Sequence, residues 1–128
     1  FLSNLKTLCY VSRKNFGDNM DITKCAALIL AAGKGTRMHS MKPKVMQTIL
    51  GTPMFSYVDL ALQPVFDDKI FVVAGHGSEN IARAFPDIKI VMQKEQLGTG
   101  HALLCAMPEL YKYEYVLVVN GDAPLITN

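Results

Sequence analysis

Gly33 and Gly35 close the apolar run Leu28-Ile29-Leu30-Ala31-Ala32, and Lys34, Arg37, Lys42 and Lys44 follow in the same stretch. This is the pattern of an anion cradle. Glycine lets backbone N–H groups come close to an anion, and the cations neutralise it. Arg37 offers a planar fork to phosphate oxygens, whereas Lys44, directly after Pro43, offers a compact point charge. Two such groups beside a glycine-rich turn suit the triphosphate of a nucleotide. Lys34 and Lys42 read equally well as solvated loop charges.

A second group of residues stands at Asn120-Gly121-Asp122, where the apolar run Tyr115 to Val119 ends. Phosphoryl and nucleotidyl transfer need Mg2+ to neutralise charge, and that ion takes carboxylate oxygens together with phosphate oxygens and water. A carboxylate after a space-clearing glycine is placed for that work, although a strand-end Asp alone is more often a turn or cap residue. His39, His76 and His101 lack metal-ligand spacing, so zinc is not expected; His76 and His101 adjoin glycines and read as loop hydrogen-bonding residues.

Other nucleotide and hydrolase signatures fail on specific residues. Gly33 and Gly35 supply two glycines of G-x-G-x-x-G, but Met38 takes the place of the third, and no acid ends the second strand to hold a ribose. No Gly-Lys-Ser/Thr tripeptide opens a helix, and no G-x-S-x-G elbow occurs.

The positioning elements alternate. Cys25 to Ala31 reads as a strand buried on both faces, followed by a loop from Ala32 to Lys44 that is long enough to be functional. Val45 to Leu50 reads as a short extended piece closed by Gly51. Thr52 as N-cap and Pro53 in the first helical position predict a helix with Met54, Val58 and Ala61 on one face, flanked by Phe55 and Leu62, and stopped by Pro64. Lys69 to Ala74 reads as a second strand, and Ser78 as the cap of a helix that runs to Phe85 and ends at Pro86. Ile88 to Met92 is a third strand, Gln93 to Gly100 a turn, and Ala102 to Met107 a helix stopped at Pro108 or shortly after. Tyr115 to Val119 is a fourth strand. The alternation predicts an α/β, Rossmann-like fold with a mostly parallel sheet and flanking helices. In such a sheet the strand ends at Ala31-Ala32-Gly33, Gly75-His76-Gly77, Gln93 and Asn120-Gly121-Asp122 share one edge, where ligands bind.

The bulk properties narrow the rest. With 128 residues, 50% of them hydrophobic, the chain can form one domain with a real core. A net charge of +2 points to neither nucleic acid nor an anionic membrane, and no apolar run approaches the roughly 18 residues of a membrane span. Three cysteines, Cys9, Cys25 and Cys105, without CxxC spacing, read as free thiols of a reducing cytosol. Residues 1–20 lack a clear period and a signal-peptide pattern, and are expected to be an extension outside the core, with Met20 near the native start; residues 21–128 form the domain.

The stretch from Leu30 to Met38 (Leu-Ala-Ala-Gly-Lys-Gly-Thr-Arg-Met), followed by Pro43-Lys44, resembles the signature of sugar-phosphate nucleotidyltransferases. Alone it leaves open the cytidylyltransferases of isoprenoid synthesis and the molybdopterin guanylyltransferases. Gln93 to Ala102 (Gln-Lys-Glu-Gln-Leu-Gly-Thr-Gly-His-Ala) and Asn120-Gly121-Asp122-Ala123-Pro124-Leu125 are more specific. With them, residues 25 to 128 resemble the bacterial N-acetylglucosamine-1-phosphate uridylyltransferases, whose bifunctional members also carry glucosamine-1-phosphate acetyltransferase activity.

The resemblance implies a cytoplasmic, Mg2+-dependent enzyme of UDP-N-acetylglucosamine and cell-wall synthesis. Its substrates would be UTP and N-acetylglucosamine 1-phosphate, with release of pyrophosphate. Leu30, Ala31, Ala32 and Gly33 would line the nucleotide pocket, with Arg37 and Lys44 as catalytic cations on the phosphates. Gln93, Gly98 and Thr99 would read the uracil, Asn120 and Gly121 would lie beside the sugar nucleotide, and Asp122 would hold Mg2+. Family members continue past the position of Asn128 with further sugar-binding residues, a second Mg2+ ligand and a C-terminal β-helix domain that makes them homotrimers. The chain is therefore expected to be the N-terminal portion of such a domain, truncated on its C-terminal side and with little turnover alone. Another sugar-phosphate or alditol-phosphate nucleotidyltransferase, or a non-catalytic nucleotide-binding module, remains as the alternative.

Overall fold

The computed structural model describes residues 8–11, 21–33 and 42–124. In chain order the elements are β1 (Leu8–Val11), β2 (Cys25–Leu30), β3 (Thr48–Ile49), β4 (Thr52–Pro53), α1 (Met54–Phe66), β5 (Ile70–Ala74), α2 (Ser78–Ala84), β6 (Lys89–Met92), α3 (Thr99–Leu110) and β7 (Tyr115–Asn120). Among the described residues the main sheet has the order β1-β7-β2-β5-β6. Strands β7, β2, β5 and β6 are parallel, and β1 pairs antiparallel with β7. The expected mostly parallel α/β sheet is the one observed.

Strand β2 holds the centre because nearly all of its residues are apolar and none needs water. Alternate side chains enter different cores, as the two-residue period of a strand requires. Cys25, Ala27 and Ile29 pack with Phe55, Val58, Leu62 and Phe66 of α1 and with Ile81 of α2. Ala26 and Leu28 pack on the opposite face with Ala102, Ala106 and Leu110 of α3. Full burial of a Leu or Ile side chain stabilises by about 1.5–3 kcal/mol, so both faces of β2 hold the layers together.

The chain steps from β2 through α1 to β5 and through α2 to β6, then returns through α3 to β7 on the other side of β2. The change of direction places α3 on the opposite face from α1 and α2. It also makes the carboxyl ends of β2 and β7 a switch point, the place where an open parallel sheet leaves a crevice.

Several local expectations are corrected. Thr52 does not cap α1: it pairs with Ile49 in a two-stranded hairpin, and the helix starts at Met54. The hairpin turn uses Leu50 at φ 51 and Gly51 at φ 83, both left-handed as a two-residue hairpin turn requires. Pro64 does not stop α1, which continues to Phe66. Proline removes its own donor and crowds the carbonyl one turn back, but burial of Phe66 and a bond from the Asp67 N–H to the Gln63 carbonyl hold the last turn. The buried face is accordingly Phe55, Val58, Leu62 and Phe66 rather than one centred on Met54 and Ala61. Ser78 is the first residue of α2, and Gly77, at φ 85, occupies the cap position. Helix α3 begins at Thr99, ahead of the expected Ala102, because Gly98 at φ 96 turns the chain into it. Strand β1 lies in a stretch to which no element was assigned, since four residues are too few to display a period. Cys25 and Cys105 are free, as expected, and no described helix is long and apolar enough to cross a membrane.

Asp59 lies half-buried on α1, and desolvation pushes its carboxyl above the ordinary carboxylate range, with a smaller opposing effect from its bond to Gln63. A group that binds its proton more tightly when folded supports stability below its unfolded pKa and loses that support as pH rises through the folded value. Asp59→Asn is therefore expected to be more stable than the parent at neutral pH, with the difference vanishing below about pH 4. Chemical denaturation at pH 3.5 and pH 7 checks this, and equal stability at both would contradict it.

Candidate functional site

The register of the sheet assembles the site. Leu30 stands opposite Asn120 across β2 and β7, and Ala74 stands opposite Met92 across β5 and β6. The ladder continues past the strand ends: the Ala31 N–H donates to the Val73 carbonyl at 2.8 Å, and the Gln93 N–H to the Ala74 carbonyl at 2.8 Å. The Gly121 N–H likewise donates to the Leu30 carbonyl at 2.9 Å. These bonds carry the strand ends together to the rim of a cavity of about 280 Å3.

One wall is the backbone of Leu30, Ala31, Ala32 and Gly33 leaving β2. Gln96 fixes it from across the cavity, its Nε2 donating to the Ala32 carbonyl. Gly75 makes room for that side chain, because a Cβ there would lie 2.8 Å from Gln96 Nε2.

Lys44 reaches the rim from a single 3-10 turn, Lys44–Met46, anchored on both sides. Pro43 is buried against Gly77, where a Cβ would lie 2.8 Å from the Pro43 Cγ. Val45 is buried against Gly121, where a Cβ would lie 2.9 Å from the Val45 Cγ1 and 3.1 Å from the Leu30 oxygen. Between these anchors Lys44 Nζ donates to Asp122 Oδ2. Both side chains are partly exposed, and such an ion pair is worth only about 0–1 kcal/mol. A phosphate on the lysine and a cation on the carboxylate can replace it at little cost.

The opposite wall is built around Gln93, the one buried polar side chain among the described residues, at 3% exposure. Its Nε2 donates to the Gly98 carbonyl at 3.2 Å and lies 3.0 Å from His101 Nδ1. Gly98 and Thr99 complete that wall at the start of α3, whose first N–H groups have no partner within the helix.

The structure thus gathers Leu30, Ala31, Ala32, Gly33, Lys44, Gln93, Gly98, Thr99, Asn120 and Asp122 around one cavity. Gly121 is buried directly behind the wall, and Arg37 lies outside the described residues. Gln96, Val45 and Ala102 also line the cavity and were not among the expected site residues. Gln96 stands three positions after Gln93 in the same motif, a signal that could have marked it; Val45 carried none beyond following Pro43-Lys44. Among the described residues no group of three His, Cys, Asp or Glu side chains could hold a metal by itself. Among the described residues that line the cavity Asp122 is the one carboxylate, which suits an ion that takes one or two carboxylates and completes its shell with substrate phosphates and water.

A family model described as a MobA-like NTP transferase domain matches residues 27–128. The chain is 57% identical over 104 residues to the bifunctional protein GlmU of Nitratidesulfovibrio vulgaris, a match covering 78% of this chain and 23% of that protein. It is 49% identical over 110 residues to the bifunctional protein GlmU of Lawsonia intracellularis, covering 83% and 24%. The chain therefore spans about a quarter of the length of these curated relatives. Among solved structures, a nucleotidyl transferase from Methanothermobacter thermautotroptrophicus superposes with a TM-score of 0.65 at 22% identity, over 80% of this chain and 52% of that one. The inositol-1-phosphate CTP transferase from T. maritima superposes with a TM-score of 0.63 at 22% identity, over 76% and 43%. The two structural matches establish the fold.

The packing behind Asp122 has a direct test. Gly121→Ala forces the Val45 contact and the Leu30 carbonyl apart, and is expected to cost about 1–3 kcal/mol, the usual range for overpacking. Gly33→Ala, with no atom of the described residues within 4 Å of the added Cβ, should leave the melting temperature unchanged. A Gly121→Ala protein as stable as the parent would contradict this account of the wall.

Proposed function

The chain belongs to the MobA-like NTP transferase domain family, and from that premise we propose that it forms the nucleotide-binding part of an N-acetylglucosamine-1-phosphate uridylyltransferase. The observation that carries the reading is the meeting, in one cavity, of a cation and carboxylate pair, Lys44 and Asp122, with an amide-bearing wall of Gln93 and Gly98. The relatives of highest similarity cited above, proteins named bifunctional protein GlmU, support the choice among nucleotidyltransferases.

In this reading the β2 exit, Leu30 to Gly33, takes the nucleoside triphosphate with its backbone. Lys44 leaves Asp122 and binds the reacting phosphates. Arg37, two residues past Gly35 in the same loop, neutralises the departing pyrophosphate. Gln93, Gly98 and Thr99 hold the uracil, whose edge offers one donor and two acceptors to an amide and backbone groups. Asn120 and Gly121 border the sugar nucleotide.

The nucleophile is a phosphate oxygen of N-acetylglucosamine 1-phosphate. It attacks the α-phosphorus of UTP, the bond to the β-phosphate bridge oxygen breaks, and pyrophosphate leaves. A phosphate monoester has a second pKa near 6, so it arrives largely ionised and needs no base. What the chain must supply is alignment and charge neutralisation, the two terms that dominate such transfers. Asp122 would hold Mg2+, which, when bound, supplies positive charge to the phosphates.

The test is pyrophosphate release by the full-length gene product, with UTP, CTP, GTP and TTP each offered with several sugar 1-phosphates. UTP with N-acetylglucosamine 1-phosphate is expected to exceed the other pairs. Lys44→Ala and Asp122→Ala are each expected to lower kcat/KM by about 100-fold or more, the scale of losing one group that stabilises transition-state charge. Near-normal rates in either variant would overturn the assignment of these two residues.

A further inference from the structure

We infer that His101 is a positioning residue that sets the base preference of the site by fixing the orientation of the Gln93 amide; this rests on the reading of the cavity as a nucleotide site. Gln93 is buried at the back of the cavity, and its amide has two hydrogens, both on Nε2. One is directed to the Gly98 carbonyl at 3.2 Å. The other faces His101 Nδ1 at 3.0 Å, so Nδ1 acts as acceptor and the ring hydrogen belongs on Nε2. Cys105, one turn further along α3, brings its Sγ to 3.8 Å from that Nε2, within reach of its hydrogen.

With both hydrogens committed, Gln93 presents only Oε1 to a ligand, and among the described residues nothing donates to it. A lone acceptor selects by chemistry. The edge of uracil has one donor, the imide N3–H, between two carbonyl acceptors, and that donor pairs with Oε1. Cytosine placed in the same way turns the lone pair of N3 toward Oε1, and two acceptors repel. The preference is thus for a pyrimidine that carries an imide hydrogen, uracil or thymine, over cytosine. The Gly98 carbonyl, which can only accept, and a histidine that accepts together prevent the amide from rotating to offer Nε2 instead.

His101 contacts the amide and not the substrate in this scheme, so its removal should change discrimination more than overall turnover. The experiment measures kcat/KM for UTP and CTP in the full-length gene product, for the parent, His101→Ala and His101→Asn. Asparagine places an Oδ1 acceptor close to the position of Nδ1. The ratio of UTP to CTP is expected to fall about tenfold in His101→Ala, the upper range for one hydrogen bond, and to recover in His101→Asn. Two-bond proton–nitrogen spectra of the parent are expected to show His101 as the neutral Nε2–H tautomer, a readout that needs no ligand and no variant. An unchanged ratio in His101→Ala, or a hydrogen found on Nδ1, overturns the inference while leaving the nucleotide site standing. A parent enzyme that uses neither UTP nor CTP overturns the functional reading itself, and the inference with it.

Discussion

The pairing of β2 with β7 is the constraint on which the site depends. The two strands run parallel with Leu30 opposite Asn120, and the Gly121 N–H bonds back to the Leu30 carbonyl. A slip of one residue would turn every side chain of β2 to the wrong core, because its two faces serve different helices. Register is therefore enforced by burial on both sides. The same register brings a glycine-rich exit from β2 beside a carboxylate at the end of β7. The site inherits its geometry from the hydrophobic interior, not from the polar residues that use it.

On that frame the polar groups are held with unequal firmness, and the inequality suits their work. Gln93 is enclosed and bonded on two sides, so this wall of the cavity is fixed. Among the described residues Lys44 and Asp122 are tied to each other in a partly exposed pair, a bond weak enough to be exchanged for others. The backbone of Lys44 is nevertheless fixed by Pro43 against Gly77 and by Val45 against Gly121. A rigid anchor with a movable charged end is what the proposed in-line transfer would need.

Much of this was legible in the residues. The strands that carry the site appeared as apolar runs because a strand buried on both faces admits little else, and their glycine-rich or polar ends marked the binding edge. What escaped were features set by tertiary contact. Pro64 reads as a stop, yet burial of Phe66 carries α1 past it. Thr52 reads as a cap, yet pairing with Ile49 claims it first. Ser78 has cap chemistry, but Gly77 alone tolerates the left-handed turn against Pro43. The role of Gln96 as a strut to Ala32 depends on the open space at Gly75, which no local pattern announces.

The proposed function requires a nucleoside triphosphate in the cavity between the ends of β2 and β7. Titration of the isotopically labelled full-length gene product with UTP, followed through backbone amide shifts, tests it most directly. The largest changes are expected on Leu30 to Gly33, Gln93, Gly98, Thr99 and Asp122, and are expected to grow when Mg2+ is added. Changes concentrated instead on the groove lined by Asp59, Asp67, Asp68 and Asp87, with none at the ends of β2 and β7, would contradict it.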